Sequence, residues 1–340
     1  MRKQYNLQNR RYIGNKYKLL DWIFDNVQKN CDGDTFLDIF AGTGVVAERF
    51  LKTQKKVILN DFLYSNKVIY EAFFNSNNVD YSHLEEVGEE LSELATASKS
   101  QNYFDKHFGD KFFSKKDARK IGFIRQQIDD YLKDGKINQT EYYVLLASLI
   151  YSTDKISNTV GHYDAYIKGK QIPDRFEFNL IQNIDTSKNE IEIIRDDANK
   201  VAETAKADIV FVDPPYNSRQ YSRFYHILEN LVEWKKPKLY GTALKPEAEN
   251  MSEYSRVSAK DVFTDLIEKL DCKYIVVTYN NTFKSKSTSS QNKITLEQIT
   301  EILKSKGSTK VLSKSYRFFN SGKTNFDDHK EYLFITKVGV

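Results

Sequence analysis

The chain has 340 residues, 40% apolar and 29% charged, which is enough for one large domain or two modest ones with a substantial core. Its formal net charge of +4 permits a polyanionic partner without requiring one. Cys31 and Cys272 are too few for a disulfide framework and too widely separated for a metal site, so we expect a reduced, cytoplasmic setting and no metal. No apolar stretch is long enough to span a bilayer, and the N-terminus has no apolar signal core, so we expect neither membrane insertion nor export.

The N-terminal part of the chain has the pattern of a parallel sheet. In order, it predicts an amphipathic helix at 16–29, a buried strand at 35–38, a glycine-rich turn at 41–44, a helix near 45–52 and a strand at 57–60. This succession of strand, glycine turn, helix and strand is a βαβ unit.

Residues 67–150 are mostly helical in pattern, and we interpret 76–188 as an inserted, mainly helical region. Sheet patterns then return. They comprise strands at 191–194, 208–212 and 274–278, helices at 223–235, 259–270 and 294–305, and an antiparallel edge pair at 309–318 and 331–337. We therefore predict an α/β fold, with a Rossmann-like doubly wound sheet formed by 1–75 and 189–340.

An acidic, proline-rich tetrapeptide ends the strand predicted at 208–212. Asp213 is followed by Pro214, Pro215 and Tyr216, and the turn is stiff because each proline fixes φ and lacks an N–H. A carboxylate, an aimed carbonyl and an aromatic ring suit a planar amine such as the exocyclic NH2 of a nucleobase. Hydrogen bonds to Asp213 and to the Pro214 carbonyl would draw the nitrogen towards a reactive tetrahedral form, with Tyr216 stacked on the base. A proline-terminated strand with a packing tyrosine is the simpler interpretation, so the motif needs context.

The glycine turn after Asp38 allows two interpretations. Gly42 and Gly44 permit close approach of a ligand, and Asp61 ends the next strand at the spacing of a ribose-binding acid. Together with Ala47, the turn also fits a dinucleotide fingerprint, which would indicate a nicotinamide-dependent dehydrogenase. Against that, Asp38 would repel a pyrophosphate, whereas it could accept a hydrogen bond from an amino-acid ammonium.

Lys16, close to the flexible Gly14, adds a cation that could hold a carboxylate. The ligand that needs an ammonium acceptor, a carboxylate partner and a ribose acid is S-adenosylmethionine. Asp197, which follows the strand at 191–194, could accept a hydrogen bond from the adenine amine of that cofactor, or it could equally cap the next helix.

Four motifs occur in the order of a known family. Tyr12-Ile-Gly-Asn-Lys16, Asp38-Ile-Phe-Ala-Gly-Thr-Gly44, Asn60-Asp61 and Asp213-Pro-Pro-Tyr216 resemble those of the alpha group of adenine-N6 DNA methyltransferases. That group includes the DNA adenine methylases and many restriction–modification enzymes. The resemblance covers about 1–75 and 190–340, and it extends to Thr278-Tyr-Asn280 and Tyr316-Arg317. It departs at Tyr12, where tryptophan is common, and at Gly14-Asn15, which replaces a glycine pair.

The resemblance implies a site-specific DNA methyltransferase that acts on N6 of an adenine rotated out of double-stranded DNA. Its implied catalytic residues are Asp213, Pro214, Pro215 and Tyr216. The predicted cofactor-binding residues are Tyr12, Lys16, Asp38, Phe40, Gly42, Gly44, Asp61, Asp197 and Asp213. The implied cofactor is S-adenosylmethionine, no metal is required, and a cognate restriction endonuclease is left open as a partner.

DNA recognition is predicted in two places. Arg219, Tyr221 and Arg223 follow the tetrapeptide and could grip the phosphates that flank the rotated nucleotide, although helix capping and surface charge explain them equally. In the insertion, Asn158 and Tyr163 lie in a polar loop of the kind that contacts base edges. A basic stretch could follow phosphates, or it could be a solvated helix face; it comprises Lys111, Lys115, Lys116, Arg119, Lys120 and Arg125.

Three other enzyme classes remain as alternatives. An RNA methyltransferase usually has asparagine at the position of Asp213, and a cytosine-N4 methyltransferase commonly has serine there with a permuted motif order. A nicotinamide-dependent dehydrogenase is the more distant alternative. A binding module without activity would be expected to lack Asp213 or Lys16, and both are present.

Overall fold

The computed structural model describes residues 4–75, 79–169, 171–282, 291–315 and 329–339. The chain forms two compact units, each built from three segments. The helical unit comprises Met1–Gly14, Leu63–Lys188 and Ser222–Glu249, and the sheet unit comprises Asn15–Phe62, Asn189–Tyr221 and Asn250–Val340. The helical unit is therefore larger than the insertion predicted at 76–188, because it also contains the N-terminal segment and the chain after Tyr221.

The elements are numbered in chain order. The described strands are β1 (Thr35–Asp38), β2 (Lys56–Asn60), β3 (Glu190–Ile194), β4 (Lys206–Val212), β5 (Asp271–Asn280), β6 (Gly307–Ser315) and β7 (Lys330–Val338). The described α-helices are α1 (Leu20–Asn30), α2 (Val45–Phe50), α3 (Tyr64–Phe74), α4 (Tyr81–Ala97), α5 (Tyr103–Phe108), α6 (Lys115–Lys133), α7 (Gln139–Ile156), α8 (Ala198–Thr204), α9 (Tyr221–Phe224), α10 (His226–Glu233), α11 (Ala259–Lys269) and α12 (Leu296–Lys306). Short 3-10 helices cover Leu7–Asn9, Tyr17–Leu19 and Glu253–Ser255.

Over the described residues the sheet has seven strands in the order β3-β2-β1-β4-β5-β7-β6. Strands β1 to β5 are parallel, and β7 is antiparallel to both β5 and β6. The Rossmann-like α/β prediction is confirmed, including the antiparallel pair at the sheet edge. Of the strand predicted at 309–318, residues 316–318 lie outside the described residues, as does the Tyr316-Arg317 motif.

Helices cover both faces of the sheet. On one face, side chains such as Leu37, Val210 and Ile275 form a buried apolar cluster with residues of α8, α11 and α12. On the other face, Phe36 stacks on Phe50 of α2, with ring centroids 4.0 Å apart. Adjacent residues of β1 thus point to opposite faces, and both faces are buried, as is usual for a parallel strand.

The sheet order defines where a ligand should bind. β1 and β4 are neighbours. β2, the next strand after β1 in the chain, lies on one side of this pair, and β5, the next strand after β4, lies on the other side. In open α/β sheets, such a switch point creates a crevice at the carboxyl ends of the two strands. Asp38 ends β1 and Asp213 directly follows β4, so both acids lie at this edge.

The helical unit is held by long amphipathic helices. Asn138 caps α7, and Glu141 completes a capping box, while the apolar run from Tyr142 to Tyr151 is largely buried. The single helix predicted at 223–235 is two helices, because Tyr225 leaves helical geometry between α9 and α10 and turns its ring inwards. Among the described residues, no helix combines the length and apolar character that crossing a membrane requires.

Candidate active site

The glycine turn connects β1 to α2 with backbone angles that favour glycine. Gly42 has φ 54° and Gly44 has φ 79°, both in the left-handed region. The Gly42 N–H donates a hydrogen bond of 3.0 Å to Oδ2 of Asp61, which directly follows β2. The turn and this acid, predicted separately from the sequence, therefore form one structure at the carboxyl edge of the sheet.

Asp38 is a buried acid whose negative charge is only weakly compensated. Its residue is 1% exposed, and neither carboxylate oxygen makes a hydrogen bond of normal geometry with another described residue. Burial, followed by the charges of Asp213 and Asp61, raises the pKa of Asp38 well above its ordinary value, and the Ala47 N–H and the Lys16 ammonium offset this only in part. A buried carboxylate of this kind fits a ligand that brings a positively charged hydrogen-bond donor.

Asp213, in contrast, is surrounded by donors. The Lys16 ammonium lies 2.8 Å from Oδ2, and the Thr278 hydroxyl donates to Oδ1 over 2.7 Å. The Tyr216 hydroxyl donates to the same Oδ1. Three donors thus fix the carboxylate at the end of β4. Thr278 belongs to the Thr278-Tyr-Asn280 part of the family resemblance, but nothing in the sequence pattern predicts its contact with Asp213.

The tetrapeptide places an aromatic ring beside this carboxylate. Tyr216 is half-buried, its ring lies 4.4 Å from that of Tyr279, and Lys16 Nζ lies 5.0 Å from its centroid. Burial, with the charges of Asp213 and Glu331, raises the pKa of Tyr216 well above its ordinary value, so its hydroxyl remains a donor. Pro214 is buried and Pro215 is half-buried. Stacking of Tyr216 on a base stays a prediction.

A family model for D12 class N6 adenine-specific DNA methyltransferases matches residues 12–294 of this chain. The chain belongs to this family. The match contains the glycine turn, the tetrapeptide and the helical region between them, in the order that the sequence motifs predicted.

Curated relatives support the same assignment for this D12-class chain. It is 31% identical to the type II methyltransferase M.FokI of Planomicrobium okeanokoites, over 97% of this chain and 53% of that protein. It is 34% identical to the modification methylase StsI of Streptococcus sanguinis, over 86% and 46%. It is 30% identical to the type II methyltransferase M.NlaIII of Neisseria lactamica, over 95% and 98%. The chain thus spans about half the length of the first two relatives and nearly all of the third.

Asp197 has the helix-capping contact that was one of its two predicted roles. It precedes α8 and accepts a hydrogen bond of 2.9 Å from the Asn199 N–H. Its predicted contact with a cofactor stays a prediction. Phe40, another predicted contact, packs edge-on against Tyr254 with centroids 5.1 Å apart.

Asn60 has a structural role that the sequence did not predict. Its side-chain amide donates to the carbonyls of Ile39 and Asp196, and its Oδ1 accepts from the Asp196 N–H. It is 1% exposed and ties the carboxyl ends of β1, β2 and β3 together. The sequence feature that could have indicated this role is a polar residue at the end of a buried strand.

Tyr12 belongs to the helical unit, whereas the other predicted cofactor-binding residues belong to the sheet unit. Its ring stacks on that of Tyr225, with centroids 4.8 Å apart and planes within 6°. The buried guanidinium of Arg10 lies 5.1 Å and 5.3 Å from these two ring centroids. Tyr12 is therefore held rigidly by its own unit.

The residues predicted to contact DNA after the tetrapeptide have local partners. In the sheet unit, the Arg219 N–H donates to Asn217, and Tyr221 begins α9. In the helical unit, the Arg223 guanidinium donates to the carbonyls of Pro246 and Glu247 over 2.8 Å and 3.3 Å. These contacts agree with the structural alternative for Arg223 and leave Arg219 and Tyr221 as predictions.

Asn158 and Tyr163 hold their loop from inside. The Asn158 amide donates to the carbonyls of Lys111 and Ile167, each over 2.9 Å. Tyr163 is 0% exposed, and its hydroxyl donates to Asp154 over 2.9 Å. The Asn158 amide N–H groups and the Tyr163 hydroxyl thus have partners within the fold. Contact of these two side chains with base edges stays a prediction.

The basic stretch in the insertion also needs a correction. Arg125 is 2% exposed and donates to the carbonyls of Leu231 and Val232, the last turn of α10. It therefore stabilises the end of a helix and cannot follow phosphates. Among the described residues, no cluster of three or more His, Cys, Asp or Glu side chains is arranged to hold a metal ion.

Proposed function

We propose that the chain transfers a methyl group from S-adenosylmethionine to N6 of an adenine that has been rotated out of duplex DNA. Membership of the D12 class supports this reaction. The observation that carries it is the contrast between two acids at one sheet edge. Asp213 is held by three donors, whereas neither oxygen of Asp38 has a hydrogen bond of normal geometry among the described residues.

The charge of the site fits this cofactor. When bound, S-adenosylmethionine supplies a methyl group on a positively charged sulfur. Asp38 would accept its ammonium, which would satisfy a buried carboxylate that makes no hydrogen bond of normal geometry with the described residues. Asp61 would accept ribose hydroxyls beside the glycine turn that it already braces. The charges of Asp38, Asp61 and Asp213, offset by Lys16, favour a ligand with net positive charge.

The tetrapeptide would position the acceptor amine. Asp213 and the Pro214 carbonyl each accept one N–H of the target NH2, which leaves the nitrogen lone pair aimed at the methyl group. Tyr216 contacts the face of the base. The new N–C bond forms as the methyl–sulfur bond breaks, and the surplus N6 proton leaves to Asp213 or to water. Because the amine is a poor nucleophile, orientation by these fixed groups contributes most of the acceleration.

We further propose that the enzyme acts in a restriction–modification system, with double-stranded DNA as substrate and a cognate endonuclease as its functional counterpart. The relatives are named as type II methyltransferases and a modification methylase, which supports this context. Such an enzyme would work in the cytoplasm, where the DNA that it protects is found.

The test is transfer of labelled methyl from S-adenosylmethionine to mixed-sequence duplex DNA and, separately, to RNA. Asp213→Ala should abolish transfer. The matched control Asp271→Ala should leave transfer unchanged, because Asp271 is an exposed acid at the amino end of β5, whereas Asp213 lies at the carboxyl edge of the sheet. The expected product is N6-methyladenine in DNA. Label only in RNA, label in another base, or no label would contradict the proposal.

A further inference from the structure

A basic hairpin follows α10 in the helical unit. Residues 234–245, which we call the lysine hairpin, contain four lysines and no acidic residue. Lys235, Lys236 and Lys238 are exposed, and the Tyr240 ring beside them is 46% exposed. The sequence patterns that predicted DNA contacts did not include this segment.

The backbone of the lysine hairpin has a specific, strained shape. Of the five non-glycine residues with positive φ among the described residues, three lie here, namely Trp234, Lys236 and Leu244, with φ between 53° and 55°. Tyr240 and Lys245 pair in antiparallel fashion through two backbone hydrogen bonds of 2.8 Å and 3.0 Å. Such conformations persist only where surrounding contacts impose them, and they concentrate at functional sites.

Those contacts come from buried and half-buried groups of the same unit. The Trp234 indole N–H donates to Gln126 over 2.9 Å, and the Tyr103 hydroxyl donates to the Pro237 carbonyl over 2.9 Å. A ring nitrogen of buried His226 lies 2.9 Å from the Ala243 carbonyl oxygen. The hairpin is thus fixed at its start, middle and tip, although its outer surface is exposed.

Two of the three exposed lysines lie on aromatic rings. Lys236 Nζ is 5.0 Å from the Trp234 ring centroid, and Lys238 Nζ is 5.4 Å from that of Tyr240. Lys236 also donates to the neutral Gln126 side chain over 3.1 Å. Neither a ring nor an amide neutralises an ammonium, so both lysines keep a positive charge that can attract an anion. Lys235 lies 3.2 Å from an oxygen of half-buried Glu233, but its own side chain is 68% exposed and can reach another anion.

We propose that the lysine hairpin is a contact surface for duplex DNA. Lys235, Lys236 and Lys238 bind successive backbone phosphates, and Tyr240 packs against a sugar or an unstacked base. Exposed lysines interleaved with an aromatic ring match the combination by which proteins grip nucleic-acid strands. The inference rests on the proposed function, which makes duplex DNA the polyanion that this surface meets.

The experiment measures the dissociation constant of fluorescent mixed-sequence duplex DNA across a range of NaCl concentrations. The test variant replaces Lys235, Lys236 and Lys238 by alanine. The control replaces Lys55, Lys206 and Lys273 by alanine. These lysines are exposed at the amino ends of β2, β4 and β5, so the control loses the same charge as the test variant. Thermal unfolding and S-adenosylmethionine binding check that each variant is folded.

Each phosphate contact contributes about 0.9 to the slope of log affinity against log salt. The test variant should therefore lower that slope by about two to three, and it should weaken binding roughly 100-fold near 0.1 M salt. Tyr240→Ala should weaken binding about tenfold at every salt concentration without changing the slope, and Tyr240→Phe should bind like the wild type. In methyl transfer, the KM for DNA should rise while kcat at saturating DNA is retained.

Two results would overturn the inference. If the wild type binds duplex DNA and the test variant keeps the slope and affinity of the control, the hairpin is not a DNA surface and the proposed function is untouched. If the wild type itself does not bind duplex DNA, both proposals fail together.

Discussion

Replacing Asp38 with asparagine should stabilise the protein without cofactor while weakening cofactor binding. The side chain is almost the same size, so packing is preserved, but the buried negative charge is removed. In the wild type both carboxylate oxygens are buried without hydrogen bonds to other described residues, and Asp213 and Asp61 repel the charge. A buried polar group without a partner costs about 1–3 kcal/mol, and a charged one costs more. We therefore expect the free energy of unfolding to rise by about 1–3 kcal/mol at pH 8.

The increase in the free energy of unfolding caused by Asp38→Asn should depend on pH. The folded pKa of Asp38 is raised above the ordinary value of 3.8, so the cost of the charge is absent below that value and appears as the pH rises through the folded pKa. The difference between variant and wild type should therefore be largest at pH 8 and should vanish near pH 4. An ordinary core substitution would have no such dependence.

Cofactor affinity should change in the opposite direction. A hydrogen bond to a charged group contributes about 1.5–3 kcal/mol, so the dissociation constant of S-adenosylmethionine should rise roughly 10- to 150-fold. The wild type should also bind more weakly as the pH falls through the raised pKa of Asp38, because the carboxyl becomes protonated. Asp38→Asn should remove that pH dependence.

Urea unfolding at pH 4, 6 and 8 and calorimetric titration with S-adenosylmethionine measure the two effects. Asp34→Asn is the matched control, since Asp34 is exposed and pairs with Lys55 near the amino end of β1, and it should change neither quantity. If Asp38→Asn lowers stability at pH 8, or if it binds the cofactor like the wild type, the assignment of Asp38 as the ammonium acceptor is wrong.

Two further substitutions test contacts in the structure. Thr278→Val removes the hydroxyl that donates to Asp213, so kcat for methyl transfer should fall about tenfold with little change in cofactor affinity. Thr278→Ser keeps a hydroxyl and should retain activity. Equal activity of the two variants would show that the hydrogen bond is unimportant. Burial lowers the pKa of His226 to about 4, so the stability present above pH 6.5 should be lost as the pH falls towards 4, by about 2 kcal/mol between pH 7 and pH 5. His226→Gln should lose this dependence in urea unfolding, and an unchanged loss would mean that another group is responsible.

The sheet was predictable because its strands are encoded locally. Strands β1 and β4 are short apolar runs that end at an acid, and the glycine-rich turn after β1 predicts that a helix follows. The motifs of the site lie on these strand ends, so their approximate positions followed from the pattern. The break between α9 and α10 did not, because it depends on Tyr225 packing against Tyr12, far away in the sequence.

Roles of polar residues were harder to predict than their positions. Asn158, Tyr163 and Arg125 are residue types common in DNA contacts, yet their partners are carbonyl and carboxylate oxygens inside the helical unit. Composition does not tell whether a polar side chain will find its partner within the fold or in a ligand. Only the packing of α6, α7 and α10 decides this.

The same distinction explains how one sheet edge can serve two ligands. Asp38 and Asp213 are remote in sequence, but the pairing of β1 with β4 requires their strands to end side by side. Both acids follow apolar strands, so the sequence presents them as equivalent. Their partners differ, since Lys16, Thr278 and Tyr216 orient Asp213, while Asp38 has a raised pKa and no such donors. An oriented carboxylate suits a neutral amine that must be aimed, and a weakly compensated one suits a cation. Under the proposed function, the two acids therefore take different ligands because of the hydrogen bonds that each already has.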